Sequence, residues 1–274
     1  MLRSKLDTSS ILASDVWIDH PHGRLFSRTW RSVEEDQPAG KKTPIILFHD
    51  SLGCVDLWRD FPAMLSAATG RDVVAYDRLG FGRSDRRTGR LALDFIADEA
   101  ANYFPAVVEQ LGLHRFIAFG HSVGGGMAVH CAARHAPHCA ALVTESAQAF
   151  VGDETRQGLL EARRLFADEG QLSRLRKYHG DKAGWVLDAW IGTWLDPAFA
   201  TWSLRDVLPA VGCPVLAIHG ALDEYGSSRH PETIAGHCSG PAQIRILPET
   251  HHVPHKERTN EIVALVAGFT SPLS

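Results

Sequence analysis

The serine in Gly120-His121-Ser122-Val123-Gly124 is the residue with the clearest capacity for chemistry in this chain. It follows the apolar run Phe116-Ile117-Ala118-Phe119 and precedes Gly125-Gly126-Met127-Ala128-Val129, a stretch able to form a helix. Gly-x-Ser-x-Gly between a strand and a helix is the sequence form of a nucleophile elbow, which holds a serine on a sharp turn. The turn closes only if the positions two before and two after the serine carry almost no side chain, which Gly120 and Gly124 satisfy. The following helix directs its free N–H groups and positive dipole end at whatever forms at Ser122. A serine hydroxyl is a weak nucleophile at neutral pH and needs a base, itself oriented by a third group. Two downstream segments supply these residue types, His219-Gly220-Ala221-Leu222-Asp223 and Thr250-His251-His252-Val253-Pro254-His255.

These residues need a scaffold, and the hydrophobic pattern supplies one. Pro44–Phe48, Val73–Tyr76, Phe116–Phe119 and Ala141–Thr144 are short continuous apolar runs, the mark of strands buried on both faces of a parallel sheet. Helical segments separate them: Asp60–Ala68 closed by Gly70, Asp94–Leu111 with Pro105 predicting a kink or break, and a helix running from the elbow to about Ala136. Trp17–His20 and Arg24–Trp30 read as a hairpin at the sheet edge around His20-Pro21-His22-Gly23, and 32–42 as a surface loop. Such alternation predicts βα units with helices on both faces and ligands gathered at the carboxyl ends of the strands. His49, Asp50, Asp77, Ser122 and Glu145 all fall at such ends. From Gln148 to about Asp206 the pattern is helical and charge-rich, with Trp185, Trp190, Trp194 and Trp202 in its second half. Strands resume at Pro214–Ile218 and Gln243–Leu247, and a last helix is expected over Asn260–Phe269. The expected domains are therefore a core of 1–147 and 207–274 and a helical cap of 148–206.

Composition narrows the function classes. With 274 residues, 45% hydrophobic and 22% charged, the chain is long enough for one α/β domain with an insertion. A net charge of -4 gives no general attraction to nucleic acid or an anionic membrane. The five cysteines are scattered and odd in number, so they predict reduced thiols, with no disulfide framework and no zinc site. The first fifteen residues lack an apolar core of signal-peptide length and no apolar run is long enough to span a bilayer, so a cytoplasmic location is expected.

Four motifs in order carry a resemblance: Gly-Phe-Gly-Arg-Ser-Asp at 80–85, Gly-His-Ser-Val-Gly-Gly at 120–125, His-Gly-x-x-Asp at 219–223 and His-x-Pro-His-x-Glu at 252–257. On them the chain resembles the α/β-hydrolase superfamily, in its capped group of carboxylesterases, lactonases and carbon–carbon bond hydrolases. The resemblance covers about 43–147 and 206–270. It implies a mostly parallel sheet with helices on both faces and a helical cap, with Ser122 as nucleophile, Asp223 as acid and His252 as base. Glu145 is the reserve acid, whereas His251 and His255 are expected to be structural and Asp85 to fix its own loop. The oxyanion donors implied are the N–H groups of Val123 and Ser51, with Leu52 as a substitute for the second. There the chain departs from the family, which usually reads His-Gly where this chain has His49-Asp50. His49, Asp50, Trp185 and Trp190 are the candidate substrate contacts.

The expected activity is hydrolysis of a carboxylic ester of a small to medium molecule through an acyl-enzyme, without metal or cofactor. Carbon–carbon hydrolases of ring-cleavage products and lactonases share the triad and remain alternatives. A receptor-like binding protein on the same scaffold is the alternative of another class. The aspartate nucleophile of dehalogenases and epoxide hydrolases is replaced here by Ser122. A monomer or homodimer is expected. Arg174, Arg176 and Lys177 read as a solvated helix face, with docking of an acidic carrier protein as the sharper alternative.

Overall fold

The computed structural model describes residues 7–33 and 42–273. Most of the loop expected at 32–42 therefore lies outside the described residues, as does the start of the chain. The strands are β1 (Ile11–Ile18), β2 (Leu25–Ser32), β3 (Ile45–Phe48), β4 (Val73–Tyr76), β5 (Phe116–His121), β6 (Cys139–Glu145), β7 (Val215–Gly220) and β8 (Ala242–Leu247). They form one eight-stranded sheet in the order β1-β2-β4-β3-β5-β6-β7-β8. Only the β1–β2 and β2–β4 pairs are antiparallel, so the hairpin sits at one edge of an otherwise parallel sheet.

The apolar runs form central strands because both faces are covered. Along β3, Ile45 and Leu47 join one core cluster with the helices α1 (Phe61–Thr69) and α10 (Thr259–Thr270), while Ile46 and Phe48 join the other. That second cluster packs under α2 (Phe95–Asp98), α3 (Phe104–Gln110) and α4 (Val123–Arg134). Edge strand β8 is mostly exposed and correspondingly polar, which is why only part of it reads as an apolar run.

The helix expected over Asp94–Leu111 is neither cleanly kinked nor broken at Pro105. One wide turn, Glu99–Tyr103, links α2 to α3, and the Phe104 N–H reaches back to Glu99 O. Pro105 has no N–H and its ring crowds the carbonyl four residues back, and the widened turn accommodates both.

Three α-helices lie between β6 and β7: α5 (Asp153–Leu165), α6 (Glu169–His179) and α7 (Ala183–Trp194). An isolated bridge, Phe150 to Ser203, closes the base of this excursion. At its far end the Lys182 ammonium donates to Phe81 O, Gly82 O and Ser84 O. His179 accepts from Gly82 N–H at 2.9 Å through Nδ1, and its Nε2 lies 2.9 Å from Leu52 O. The helix α8 (Arg229–His237) packs on β7, and the short α9 (Pro254–Glu257) precedes α10. The cysteines are all unbridged, Cys54, Cys131 and Cys139 buried, Cys213 and Cys238 half-buried. Among the described residues no helix is long and apolar enough to cross a membrane.

Candidate active site

The elbow has the geometry its glycines allow. Ser122, between β5 and α4, takes φ 56° and ψ -126°, a left-handed backbone that a side-chain-bearing residue adopts only under constraint. A Cβ on Gly120 would lie 2.1 Å from Gly124 O, and one on Gly124 would lie 2.1 Å from Phe48 O. The two glycines thus let α4 start against the ends of β5 and β3, pointing the Ser122 side chain into a cavity of about 280 Å³.

Two loops from the far side of the sheet complete the group. After β8, His252 brings Nε2 to 3.0 Å from Ser122 Oγ. After β7, Asp223 faces the other ring nitrogen, with Oδ1 and Oδ2 at 2.8 and 2.9 Å from His252 Nδ1. Tyr225 N–H donates to Asp223 Oδ1 at 2.8 Å, and His219 Nε2 lies 3.3 Å from Oδ2. Burial alone would raise the Asp223 carboxyl, but His252, His219 and the Tyr225 N–H hold it below the usual carboxylate range. A base bonded to a hydroxyl on one nitrogen and to a carboxylate on the other is the geometry that activates a serine.

Glu145, the reserve acid, lies at the end of β6 but turns to His255, whose Nδ1 is 2.5 Å from Glu145 Oε2. Both are buried, and the Trp58 ring packs 4.7 Å from that of His255. His251 is exposed and pairs with Glu257. Asp85 accepts from Arg24 N–H at 2.8 Å, and Asp77 accepts from Val55 and Arg83 N–H, all within loop scaffolding.

Of the expected oxyanion donors, Val123 is the first residue of α4, whose leading N–H groups have no intrahelical acceptor. Ser51 lines the cavity, and its N–H makes no hydrogen bond among the described residues. The Leu52 N–H is instead spent on Asp50 Oδ1 at 2.8 Å, which removes Leu52 as the substitute donor.

The expected substrate contacts divide. Asp50 and Trp190 line the cavity. His49 does not, since it is buried behind the loop with Nδ1 2.8 Å from Asp50 O and Nε2 accepting from Arg78 N–H. Trp185 does not either, because its ring packs on Phe81 and its N–H donates to Gly89 O, away from Ser122. Both positions correct the sequence expectation. Sequence patterning can place an indole on a helix, but not choose which helix face meets the cavity. Sequence reasoning missed Gln148, whose Oε1 is 3.4 Å from Ser122 Oγ, as well as His121, Tyr225 and Lys256 on the cavity wall. Position at a strand end was the available signal for Gln148 and His121. Arg174, Arg176 and Lys177 lie on the exposed side of α6, where Arg176 pairs with Glu169.

Among the described residues, His121, Glu145 and His255 are the grouping whose ligand-type atoms come within 4.8 Å of one another. Glu145 Oε2 is taken by His255 and His121 Nε2 by His252 O, while His121 Nδ1 faces Asp50 at 3.3 Å.

The chain matches known proteins over this region. The family model described as alpha/beta hydrolase fold matches residues 43–169. A human protein named 1-acylglycerol-3-phosphate O-acyltransferase ABHD5 is 39% identical over 92 residues, 32% of this chain and 24% of that protein, so the match spans about a quarter of that relative. Human serine hydrolase BPHL is 26% identical over 202 residues, 72% of this chain and 68% of that one. Among solved structures, proline iminopeptidase of Mycobacterium smegmatis superposes with a TM-score of 0.69 at 21% identity, covering 94% of this chain and 98% of that one.

Proposed function

We propose that the chain, whose residues 43–169 match the alpha/beta hydrolase fold model, hydrolyses carboxylic esters through an acyl-enzyme on Ser122. The observation that carries this reading is the continuous contact from Asp223 through His252 to Ser122 Oγ at the floor of a cavity. His252 takes the hydroxyl proton as Ser122 Oγ bonds to the ester carbonyl carbon, and Asp223 stabilises the imidazolium that results. The carbonyl oxygen becomes negative and rests on the N–H groups of Val123 and Ser51. His252 then gives its proton to the departing alcohol. Water repeats the sequence on the acyl-enzyme, which releases the acid and restores Ser122. These steps need no cofactor or metal.

The cavity volume of about 280 Å³ suits a small to medium ester with a short acyl chain, being at the lower end of ligand pockets. The name of the relative covering most of the chain, a serine hydrolase, supports the nucleophile assignment. The test is hydrolysis of p-nitrophenyl esters of increasing acyl length by native protein and Ser122→Ala. The native protein is expected to prefer short chains and to label with a fluorophosphonate. Ser122→Ala should lose on the order of a millionfold in kcat. Near-native turnover by that variant would remove Ser122 from the role, and a folded native protein that neither labels nor turns over would favour a binding function.

A further inference from the structure

Asp50 puts a carboxylate one residue from the Ser51 N–H and on the wall of the cavity that holds Ser122. A bare negative charge there would oppose the charge that develops on an attacked carbonyl oxygen. The structure also provides what offsets it. The His121 ring, beside the nucleophile in sequence and buried, has Nε2 2.8 Å from the backbone carbonyl of His252, while Nδ1 lies at ion-pair distance, 3.3 Å, from Asp50 Oδ2, outside hydrogen-bond geometry. A carbonyl and a carboxylate only accept, so a proton is required on each nitrogen to make both contacts favourable. Such a ring is an imidazolium.

We propose that Asp50 and His121 form a positioning ion pair. The cationic His121 ties the oxyanion loop to the loop of the base and cancels the Asp50 charge beside the developing oxyanion. This rests on the reading of Ser122 as nucleophile. Three segments meet at the ring: the elbow itself, the loop after β3 through Asp50, and the loop after β8 through His252 O. The Asp50 side is held by several hydrogen bonds. Its Oδ1 accepts from Leu52 N–H, and its carbonyl accepts from Gly53 N–H at 3.2 Å and Arg78 Nη2 at 2.8 Å. A shift of His252 is therefore resisted by the loop that carries the Ser51 donor.

The charged and titratable groups facing His121 are Asp50, Glu145 at the end of β6, His252, and His255 and Lys256 on α9. Burial by itself would lower the His121 ring, but the adjoining Asp50 carboxylate and the charge of Glu145 raise it above the usual histidine range. The same partner holds the Asp50 carboxyl well below its usual range against the opposing effect of burial.

Two measurements test the pair. The first is an NMR pH titration of the His121 ring in native protein and in Asp50→Asn, which reads the charge without any activity. His121 is expected to be cationic at about pH 7 in native protein and neutral there in Asp50→Asn. A neutral ring in native protein, or identical titrations, would overturn the proposal. The second is kcat per fluorophosphonate-titrated site for His121→Gln, with His121→Asn in reserve for folding, and for Asp50→Asn/His121→Gln. The single variant leaves the Asp50 carboxylate without its imidazolium partner and should lose about a hundredfold in kcat with little change in KM, the scale of a lost oxyanion donor. The double variant should regain about tenfold, because the opposing charge is gone. A double variant no faster than the single one would refute charge cancellation. If native protein does not label and Ser122→Ala remains active, the nucleophile reading fails, while the ring titration still decides the ion pair.

Discussion

Gly124→Ala perturbs the point where the elbow leans on the sheet. The added methyl carbon would stand 2.1 Å from Phe48 O and 2.6 Å from His49 O, where real contacts stay above 3.0 Å. Both obstacles are backbone atoms at the end of β3, and Phe48 is fixed by pairing with Gly120 of β5. No side chain can swing aside, so helix and strand end must separate by about 1 Å, at an overpacking cost of about 1–3 kcal/mol. At two to four degrees per kcal/mol, Tm should fall by roughly 2–12 °C. The same separation pulls apart the two proposed oxyanion donors, because Val123 moves with α4 and Ser51 follows β3. A misplacement of about 1 Å can cost a hundredfold in rate, so kcat on p-nitrophenyl acetate should fall by about that factor. Gly268→Ala is the control: in α10 its Cβ meets nothing within 4 Å, and replacing a helical glycine should stabilise by about 0.5–1 kcal/mol. Thermal unfolding and ester hydrolysis of both variants suffice. A Gly124→Ala protein with native Tm and native kcat would refute the reasoning about the elbow.

Ser122→Gly should be more stable than Ser122→Ala by about 1 kcal/mol in chemical denaturation, because φ 56° strains every residue but glycine. Equal stabilities would mean that the turn stores no strain. His255→Ala leaves the Glu145 carboxyl buried without its partner and should cost about 3–5 kcal/mol; a loss under about 1 kcal/mol would show that water reaches the site. Burial pushes the Asp77 carboxyl up to about 6, against the opposing N–H groups of Arg83 and Val55. The folded protein then holds a proton that the unfolded chain has released, so this residue's contribution to stability declines as pH rises from about 4 to 6. Asp77→Asn should remove that decline from the difference between the two stability curves; parallel curves would contradict the raised value.

The central strands and the helices that cover them were legible because a strand buried on both faces must be apolar along its whole length, as Ile45–Phe48 and Val73–Tyr76 are. The helix α8 escaped notice: it follows the loop of Asp223, and its buried His230 and Thr233 give no apolar stripe. Pro105 announced an irregularity but not its form, since a widened turn depends on hydrogen bonds several residues away.

The sequence alone determined the local devices. Gly120 and Gly124 announce a turn that only glycine allows, and Asp223 and His252 stand at strand ends in a workable order, because these are constraints between neighbours along the chain. The tertiary structure alone decided partnership. It set Asp223 rather than Glu145 against His252, gave Glu145 to His255, turned Trp185 away from the cavity, and brought Asp50 to His121. Each of these contacts joins residues far apart in the chain, and which of several buried carboxylates meets which imidazole depends on how the strand-end loops converge, a matter of distance in space that residue types do not encode.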